Sequence, residues 1–232
     1  MSLADTSAPT PAVIRQVSRP APLRQSVYEI LVELVAGGTL RPGQHLVESD
    51  LARQLGVSRQ PVREALHRLE AEGWIDLRPS QGAYVHVPTD EEVNQLLDVR
   101  ELLEGATARL AARAATPDAV ASLRAALQDG VAAVQGGDVA AAVAANNQFH
   151  AAVAAVAGNG VLAELSEIVA RRVSWHYRQV APVRGHLSWS EHADLVAAIE
   201  ASDEDRAATL ARRHTEQTRS AYHRPATAAQ DA

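Results

Sequence analysis

Between residues 48 and 73, hydrophobic residues recur at helical spacing in two short runs that Gly56 separates. Ser49 is placed to cap a helix over the first run. Ser58 is placed as the N-cap of the second, with Pro61 in the first turn, where a missing N–H does little harm. Gly56 can end the first helix in the left-handed conformation, so two short helices joined by a tight turn are predicted. Their buried faces are predicted to be Leu51, Ala52 and Leu55 in the first helix and Val62, Ala65, Leu66 and Leu69 in the second.

Two apolar runs follow directly and flank the polar sequence Arg78-Pro79-Ser80-Gln81-Gly82. Apolar runs around a polar, glycine-containing tip predict a β-hairpin. Upstream, apolar positions from Leu23 to Leu34 recur at helical spacing and stop at Gly37-Gly38, which predicts a further helix. This part of the chain is therefore predicted to form three helices and a two-stranded hairpin.

From residue 89 onwards the pattern predicts helices only. Thr89 and Glu92 have the spacing of a capping box, and Gly-Gly or Gly-Asn-Gly sequences mark predicted helix ends. A second capping box is predicted at Ser188 and Glu191, which would separate two helices. About six helices are predicted, over residues 89–115, 116–136, 138–158, 161–181, 188–201 and 202–222.

The chain has 232 residues, of which 47% are hydrophobic, and it contains no cysteine. This length suits about two domains. The expected fold class is mainly α, with an N-terminal winged helix-turn-helix, in which the hairpin is a two-stranded wing, followed by an all-helical bundle. The sequence contains neither a long apolar run nor an N-terminal leader, so a cytoplasmic location is expected. The expected parts are a flexible arm (1–20), the winged helix (21–88), the bundle (89–222) and a flexible tail (223–232).

The formal net charge of −6 is unevenly distributed. Residues 1–88 contain nine Arg and nine Asp or Glu, whereas residues 89–232 contain thirteen Arg and nineteen Asp or Glu. The N-terminal part is therefore neutral overall. Any affinity for DNA must come from a local arrangement of arginines rather than from a global field.

The exposed face of the second short helix carries Arg59, Gln60 and Arg63. In a helix-turn-helix, the second helix enters the major groove with its N-terminal residues nearest the base edges. Arginine suits guanine O6 and N7, and glutamine suits adenine N6 and N7, so these three side chains are predicted to read bases. The alternative is an ordinary helical hairpin with a solvated basic face. The predicted contacts of the wing with the phosphate backbone or minor groove are Arg78, Ser80, Gln81 and Gly82.

The sequence from Val57 to Val85 resembles the winged helix of the GntR family of bacterial transcription regulators. The resemblance rests on the run Ser-Arg-x-Pro-Val-Arg-Glu-Ala-Leu, here residues 58–66, followed by Leu69, Gly73 and the pair Trp74-Ile75. Gln60 stands where the family more often has threonine, so the base read at that position is expected to differ. The resemblance implies DNA contacts by Ser58, Arg59, Gln60 and Arg63.

Three histidines, His150, His192 and His214, lie on three different predicted helices, and Asn146 precedes His150 by one helical turn. Neutral imidazole is a common metal ligand, and the interiors of helical bundles often hold such sites. The chain contains nine histidines, however, and scattered histidines are more often solvated or paired with carboxylates. On the residues alone, both interpretations stay open.

A second resemblance covers most of residues 92–222. The segments DVRELLEGATARLAA, NNQFHAAVAAVAGN, SEHADLVAAIEASD and ARRHTEQ, in this order, resemble the FadR-type ligand-binding domain, called FCD, of a large GntR subfamily. It implies a divalent metal ion, such as zinc, nickel or manganese, held by His150, His192 and His214, with Asn146 where aspartate is usual. A neutral amide oxygen is a weaker donor to a hard cation than a carboxylate, so a weakened site is expected.

Arg100 matches the position at which this subfamily has an arginine that points into the ligand cavity. Guanidinium groups bind carboxylates in a bidentate manner, so the resemblance implies a small organic acid that bridges Arg100 and the metal. The alternative is a surface ion pair between Arg100 and Glu104, one helical turn apart. Trp175 and Tyr177 are predicted to shape the effector pocket, with an ordinary core position as the alternative for Trp175.

Together the resemblances imply a homodimeric transcription regulator, most commonly a repressor, which binds a palindromic operator and releases it when the acid binds. Two other classes stay open. One is a three-histidine metalloenzyme, although no Glu or Asp is clearly placed as a general base and enzymatic activity is not expected. The other is an effector-free DNA-binding dimer.

Overall fold

The computed structural model describes the backbone of residues 22–224 and the side chains of residues 23–175, 181 and 184–224. The predicted N-terminal arm, the side chain of Tyr177 and residues 225–232 of the predicted tail lie outside the described residues. The elements in chain order are α1 (Pro22–Ala36), β1 (His45–Leu46), α2 (Glu48–Leu55), α3 (Arg59–Ala71), β2 (Ile75–Arg78), β3 (Gly82–Val85), α4 (Asp90–Ala114), α5 (Pro117–Gln135), α6 (Val139–Ala157), α7 (Gly160–Glu200) and α8 (Glu204–Tyr222).

The N-terminal unit contains the predicted three helices and the predicted hairpin. Helix α3 packs on α1 and α2, and its apolar stripe is buried with Leu31 of α1 and Val85 of β3. Strands β2 and β3 pair antiparallel, with Arg78 opposite Gly82. A third strand, β1, pairs with β3 and gives the order β1-β3-β2; this strand was not predicted, because two residues are too short to show an alternating pattern.

The ends of the two short helices match the sequence pattern with one exception. Gly56 ends α2 in the left-handed conformation, with φ of 67°, and Ser58 is the N-cap of α3. The prediction that Ser49 caps α2 is wrong. The helix begins at Glu48 after Val47, whose extended backbone leads into the first turn without a side-chain cap.

The C-terminal unit is a bundle in which α4 packs on α6, α7 and α8, and α5 packs on α6 and α7. Thr89 and Glu92 form the predicted capping box at the start of α4. The core is built from aliphatic and small side chains around two aromatic residues, Phe149, which is fully buried, and Trp189. Alanines such as Ala108 and Ala111 are also fully buried, and their size lets the helices approach closely.

Helix α7 runs without a break for 41 residues, so the prediction of two helices separated near Ser188 is wrong. Among the described residues the bundle therefore contains five helices, α4 to α8. Ser188 is completely buried inside the helix instead of capping one. Gly185 packs against α5, where an added Cβ would come within 3.1 Å of Val134, so tertiary packing holds this segment helical despite its weak propensity.

Among the described helices, α6 is long and apolar enough to cross a membrane by length and composition alone. Of its apolar window, 39% is buried inside the protein, and the helix packs against α4, α5 and α7. The core helix of a bundle has the same composition, so this feature is weak evidence for a membrane span.

Candidate functional site

The N-terminal turn of α3 presents a polar surface to solvent. Ser58, Arg59, Gln60 and Arg63 are all exposed, whereas Pro61 and Val62 between them are buried. The structure therefore places the four predicted DNA-contacting residues of this helix on one accessible surface. In the helix-turn-helix geometry this is the end of the helix that meets base edges.

Two of these side chains are already held by carboxylates. The Nε atom of Arg63 donates to both carboxylate oxygens of Glu48 at 3.0 and 3.2 Å, and Nη2 donates to Oε2 at 2.9 Å. These hydrogen bonds hold the pKa of Glu48 below its usual value. Gln60 donates through Nε2 to Glu64 at 2.9 Å. Sequence reasoning did not identify Glu48, because it lies on α2 and only the fold brings it to Arg63.

The wing carries the second set of predicted contacts. Arg78, Ser80, Gln81 and Gly82 are exposed at its tip, and the guanidinium of Arg78 lies 4.3 Å from the centre of the Tyr84 ring. Gly82 has φ of 96°, and a Cβ at this position would come within 2.9 Å of the His45 ring. Glycine is therefore required by both the backbone conformation and the space at this turn.

His150 of α6, His192 of α7 and His214 of α8 meet in the interior of the bundle. Their donor atoms all lie within 4.8 Å of one another, and His192 and His214 are 1% and 3% exposed. The ring centroids of His192 and His214 are 4.6 Å apart. The structure thus brings together the three histidines that the sequence singled out.

Carboxylates orient two of the three imidazoles. Nδ1 of His214 lies 2.7 Å from Glu191, which also accepts hydrogen bonds from Arg184 at 2.6 and 3.1 Å. Nδ1 of His150 lies 3.2 Å from Glu104. A carboxylate on one ring nitrogen fixes the ring and leaves the lone pair of the other nitrogen for a ligand.

His192 is the most unusual residue of the cluster. It stacks on Phe149, with ring centroids 4.2 Å apart, and neither of its ring nitrogens has a hydrogen-bond partner among the described residues. Burial, together with the nearby positive groups, lowers the pKa of His192 well below 6.5. The ring is therefore neutral, and leaving a buried polar group unpaired costs about 1–3 kcal/mol.

Asn146 lies one turn before His150 on α6 and is 2% exposed. Its amide oxygen, Oδ1, is buried and has no hydrogen-bond partner among the described residues. An oxygen in this state is available to a ligand, but it carries no charge.

Arg100 is 4% exposed and reaches the histidine cluster. Its Nε donates to Glu104 at 2.6 Å, and its Nη2 lies 3.0 Å from Nε2 of His150. The alternative prediction named the correct partner, because Arg100 does pair with Glu104. The pair is buried, however, and does not lie on the surface. Burial acts to raise the pKa of Glu104, but the positive charge of Arg100 and its hydrogen bond outweigh it and hold the pKa at about 2.

A cavity of about 620 Å³ adjoins Arg100, His150, His192 and His214. Trp175, which was predicted to shape this pocket, lies elsewhere. It packs with the core of the N-terminal unit, where its ring centroid is 5.9 Å from that of Trp74. The expectation of an effector contact is corrected accordingly, because Trp175 points from α7 towards the winged helix and not into the cavity.

Comparison with known proteins matches both parts of the chain. Residues 23–85 match the family model described as bacterial regulatory proteins, gntR family, and residues 95–217 match that of the FCD domain. The Uxu operon transcriptional regulator of Escherichia coli K12 is 31% identical over 81% of this chain and 81% of its own length. The chain belongs to the GntR family.

Other GntR-type relatives agree with this assignment. The Nta operon transcriptional regulator of Aminobacter aminovorans is 30% identical over 75% of this chain and 82% of its own. The solved structure of E. coli McbR/YncC is 26% identical, covers 85% of this chain and 95% of its own, and has a TM-score of 0.74. The protein is thus a transcription regulator with a GntR DNA-binding domain and an FCD domain.

The histidine cluster of this GntR regulator fits a divalent metal ion by its chemistry. Two nitrogens bound to one tetrahedral zinc ion at about 2.1 Å each lie about 3.4 Å apart, so the most widely separated donor atoms need to approach by up to roughly 1.4 Å. Nε2 of His214 and both ring nitrogens of His192 have no other partner among the described residues. His150 needs Arg100 to release its Nε2.

Proposed function

We propose that this GntR-family protein is a repressor that binds a palindromic operator as a homodimer and releases it when a small organic acid binds. The metal ion, which could be zinc, nickel or manganese, would be held by His150, His192 and His214, with Asn146 as a weak fourth donor. The observation that supports this most strongly is the pair of unpartnered ring nitrogens on buried His192 beside a cavity that also holds Arg100. A cytoplasmic location follows from this role.

The residues around the cavity suit an acid only when the metal is bound. Burial lowers the pKa of His150 to about 3, although Glu104 opposes this shift, so the ring is neutral at physiological pH. Arg100 is already paired with Glu104. A bound metal would supply the positive charge that neutral His150 and His192 lack. Arg100 then clamps the acid, because its Nη1 has no partner among the described residues and its Nη2 can leave His150.

DNA binding is assigned to α3 and to the wing. Arg59, Gln60 and Arg63, with Ser58 beside them, would read base edges, and the wing tip would contact the backbone or minor groove. Residues 1–88 are neutral overall, so these few arginines carry the electrostatic attraction and binding should weaken with salt.

The homodimer is supported by an exposed apolar face at the start of α7. Val161, Leu165 and Ile168 recur at helical spacing and are 69%, 47% and 46% exposed. An apolar stripe of this kind is typical of a protein contact surface. Two-fold symmetry would then present two copies of α3 to two operator half-sites.

Metal content tests the proposal directly. The protein, purified without chelator, should contain close to one metal ion per chain by elemental analysis, and the His192→Ala variant should lose it. His186→Ala is the matched control, because His186 is an exposed histidine on the same helix. Metal-free wild-type protein, or equal metal in wild type and His192→Ala, would overturn the assignment of the site.

A further inference from the structure

The cavity beside the histidine cluster is polar at one end and apolar over most of its wall. Its polar end consists of the cluster and Arg100. Small residues such as Ala154 and Ala170 also line it and leave its volume of about 620 Å³ open. Sites for small ligands place a few polar groups in a mostly apolar wall that matches the ligand's body. The larger apolar lining residues are Leu103, Val153, Val169, Val173, Leu195 and Leu210.

The charged side chains that line the cavity can accommodate one carboxylate of a ligand. Arg100 is the only arginine among the described lining residues, and Glu104 already shares its charge. The other charged side chains of the wall are acidic, namely Glu164, Glu167 and Glu191. A second carboxylate on the ligand would therefore meet no cation and several anions, and burying an unpaired charge is strongly unfavourable.

Few polar groups are free to bind hydroxyls. Thr107 donates to the carbonyl oxygen of Leu103 at 2.7 Å, and the amide nitrogen of Asn147 donates to Ser174 at 2.6 Å. Ser166 Oγ is buried and has no hydrogen-bond partner among the described residues. Gln148 and the carboxylates of Glu164 and Glu167 also line the cavity, but Leu, Val and Ala side chains make up most of its wall. A polyhydroxy body would therefore set most of its hydroxyls against apolar groups, whereas one polar substituent could pair with Ser166.

We propose that the effector is a monocarboxylate with an apolar body, and not a dicarboxylate or a sugar acid. The carboxylate binds at Arg100 and the metal, and the apolar body lies along the Leu, Val and Ala wall. This inference rests on the proposed function, because it names the class of acid for the same site.

The test is calorimetric titration of the zinc-loaded full chain with acetate, 3-phenylpropanoate, succinate and gluconate. Burial of an aromatic ring predicts that 3-phenylpropanoate binds at least about tenfold more tightly than the other three acids. Tighter binding of succinate or gluconate would overturn the inference and leave the acid-responsive regulator intact. If none of the four acids binds, both the inference and the proposed acid site are wrong.

A cavity-filling variant locates the apolar body. Ala170→Leu places a larger side chain in the wall without changing the polar end, so it should weaken 3-phenylpropanoate at least about tenfold and leave acetate unchanged. Ala144→Leu, on the exposed face of α6, is the matched control and should change neither. Unchanged 3-phenylpropanoate binding in folded Ala170→Leu would contradict the proposal. If Ala170→Leu does not fold by circular dichroism, the ranking of the four acids in the wild type decides.

Discussion

Arg63, a proposed DNA contact, is held in place by an ion pair with Glu48. Its guanidinium forms a bidentate ion pair with Glu48, so the side chain loses little conformational freedom when the operator binds. Arg63→Ala should lower operator affinity by roughly 1–3 kcal/mol, the discrimination of one good base contact, without changing the circular dichroism spectrum. Fluorescence anisotropy with labelled operator measures this. Arg124→Ala removes an exposed arginine from the bundle and should leave affinity unchanged; equal affinity for wild type and Arg63→Ala would refute the role of α3.

Asn146 offers a neutral oxygen where a carboxylate would bind a cation more strongly. Asn146→Asp should therefore raise metal affinity at least about tenfold, since ligand charge is a main determinant of affinity for hard cations. Competition with a chromophoric chelator measures the change. Asn147→Asp adds the same charge one residue away, on a side chain that faces Ser174. If both variants raise metal affinity equally, the added negative charge acts at a distance and Asn146 is not a metal ligand.

The sequence indicated which side chains form the candidate site, but not which hydrogen-bond partners orient them. The three histidines and Arg100 were predicted and meet in one cavity. The Arg184–Glu191–His214 chain was not predicted, because Glu191 lies beside His192 in sequence yet pairs with a histidine of another helix. For Trp175 the predicted pocket contact is wrong and the alternative, an ordinary core position, is confirmed; helical spacing alone does not specify which neighbour a face meets.

Helices α5 and α7 approach most closely at Gly130. A Cβ at Gly130 would lie 1.8 Å from the Trp189 ring, which in turn packs edge-on against His192. Alanine normally favours a helix over glycine by about 1 kcal/mol, but the clash should outweigh this gain and Gly130→Ala should destabilise the bundle by about 1–3 kcal/mol. Thermal unfolding measures it. Gly160→Ala meets no atom within 4 Å and should be nearly neutral; similar melting temperatures for the two variants would contradict close packing at Trp189.

At the level of elements, local signals were reliable where a helix end is set by its own residues. The Thr89 capping box and the glycine ends of α2 and α6 were predicted and are present. The prediction failed where packing overrides local preference, as in α7, where Trp189 and Gly185 are buried on both sides of Ser188. It also failed for β1, whose two residues are ordered by pairing with β3.

His86 joins the sheet of the winged helix to the first turn of α4. Its Nδ1 lies 2.8 Å from Asp76 of β2, and its Nε2 lies 3.2 Å from Glu92 of α4. Burial acts to lower the pKa of His86, but the hydrogen bonds to the two carboxylates outweigh it and raise the pKa above 6.5. A raised pKa means that the stabilisation is fully present below about pH 6.5 and is lost as pH rises through the raised value.

The raised pKa of His86 predicts that the stability of the junction between the two units depends on pH. His86→Gln should lower the midpoint of urea unfolding more at about pH 6 than at about pH 9, because only the imidazolium donates to both carboxylates. His67→Gln, an exposed histidine on α3, should change neither midpoint. A difference between His86→Gln and wild type that does not vary with pH would mean that the charge of His86 contributes nothing.

Over the whole molecule, α7 connects the cavity to the DNA-binding unit. Trp175 contacts the core of the winged helix, and His192 lies in the histidine cluster 17 residues later, about 25 Å along a continuous helix. A shift of α7 on acid binding would therefore be carried to Trp74 and the sheet. Helix α7, which was predicted as two helices, is the element that links the cavity to the winged helix.

If the acid and the operator favour different positions of α7, their binding must be coupled reciprocally. If 3-phenylpropanoate reduces operator affinity by a given factor, the operator must reduce affinity for 3-phenylpropanoate by the same factor. Typical coupling energies correspond to a factor of about 5–150. Anisotropy with and without the acid gives the first factor, and calorimetry with and without operator gives the second. Arg100→Ala should reduce both factors to about one. Operator release by the acid without the reciprocal loss of acid affinity would mean that the acid bound in the cavity does not release the operator and that a second acid site is responsible.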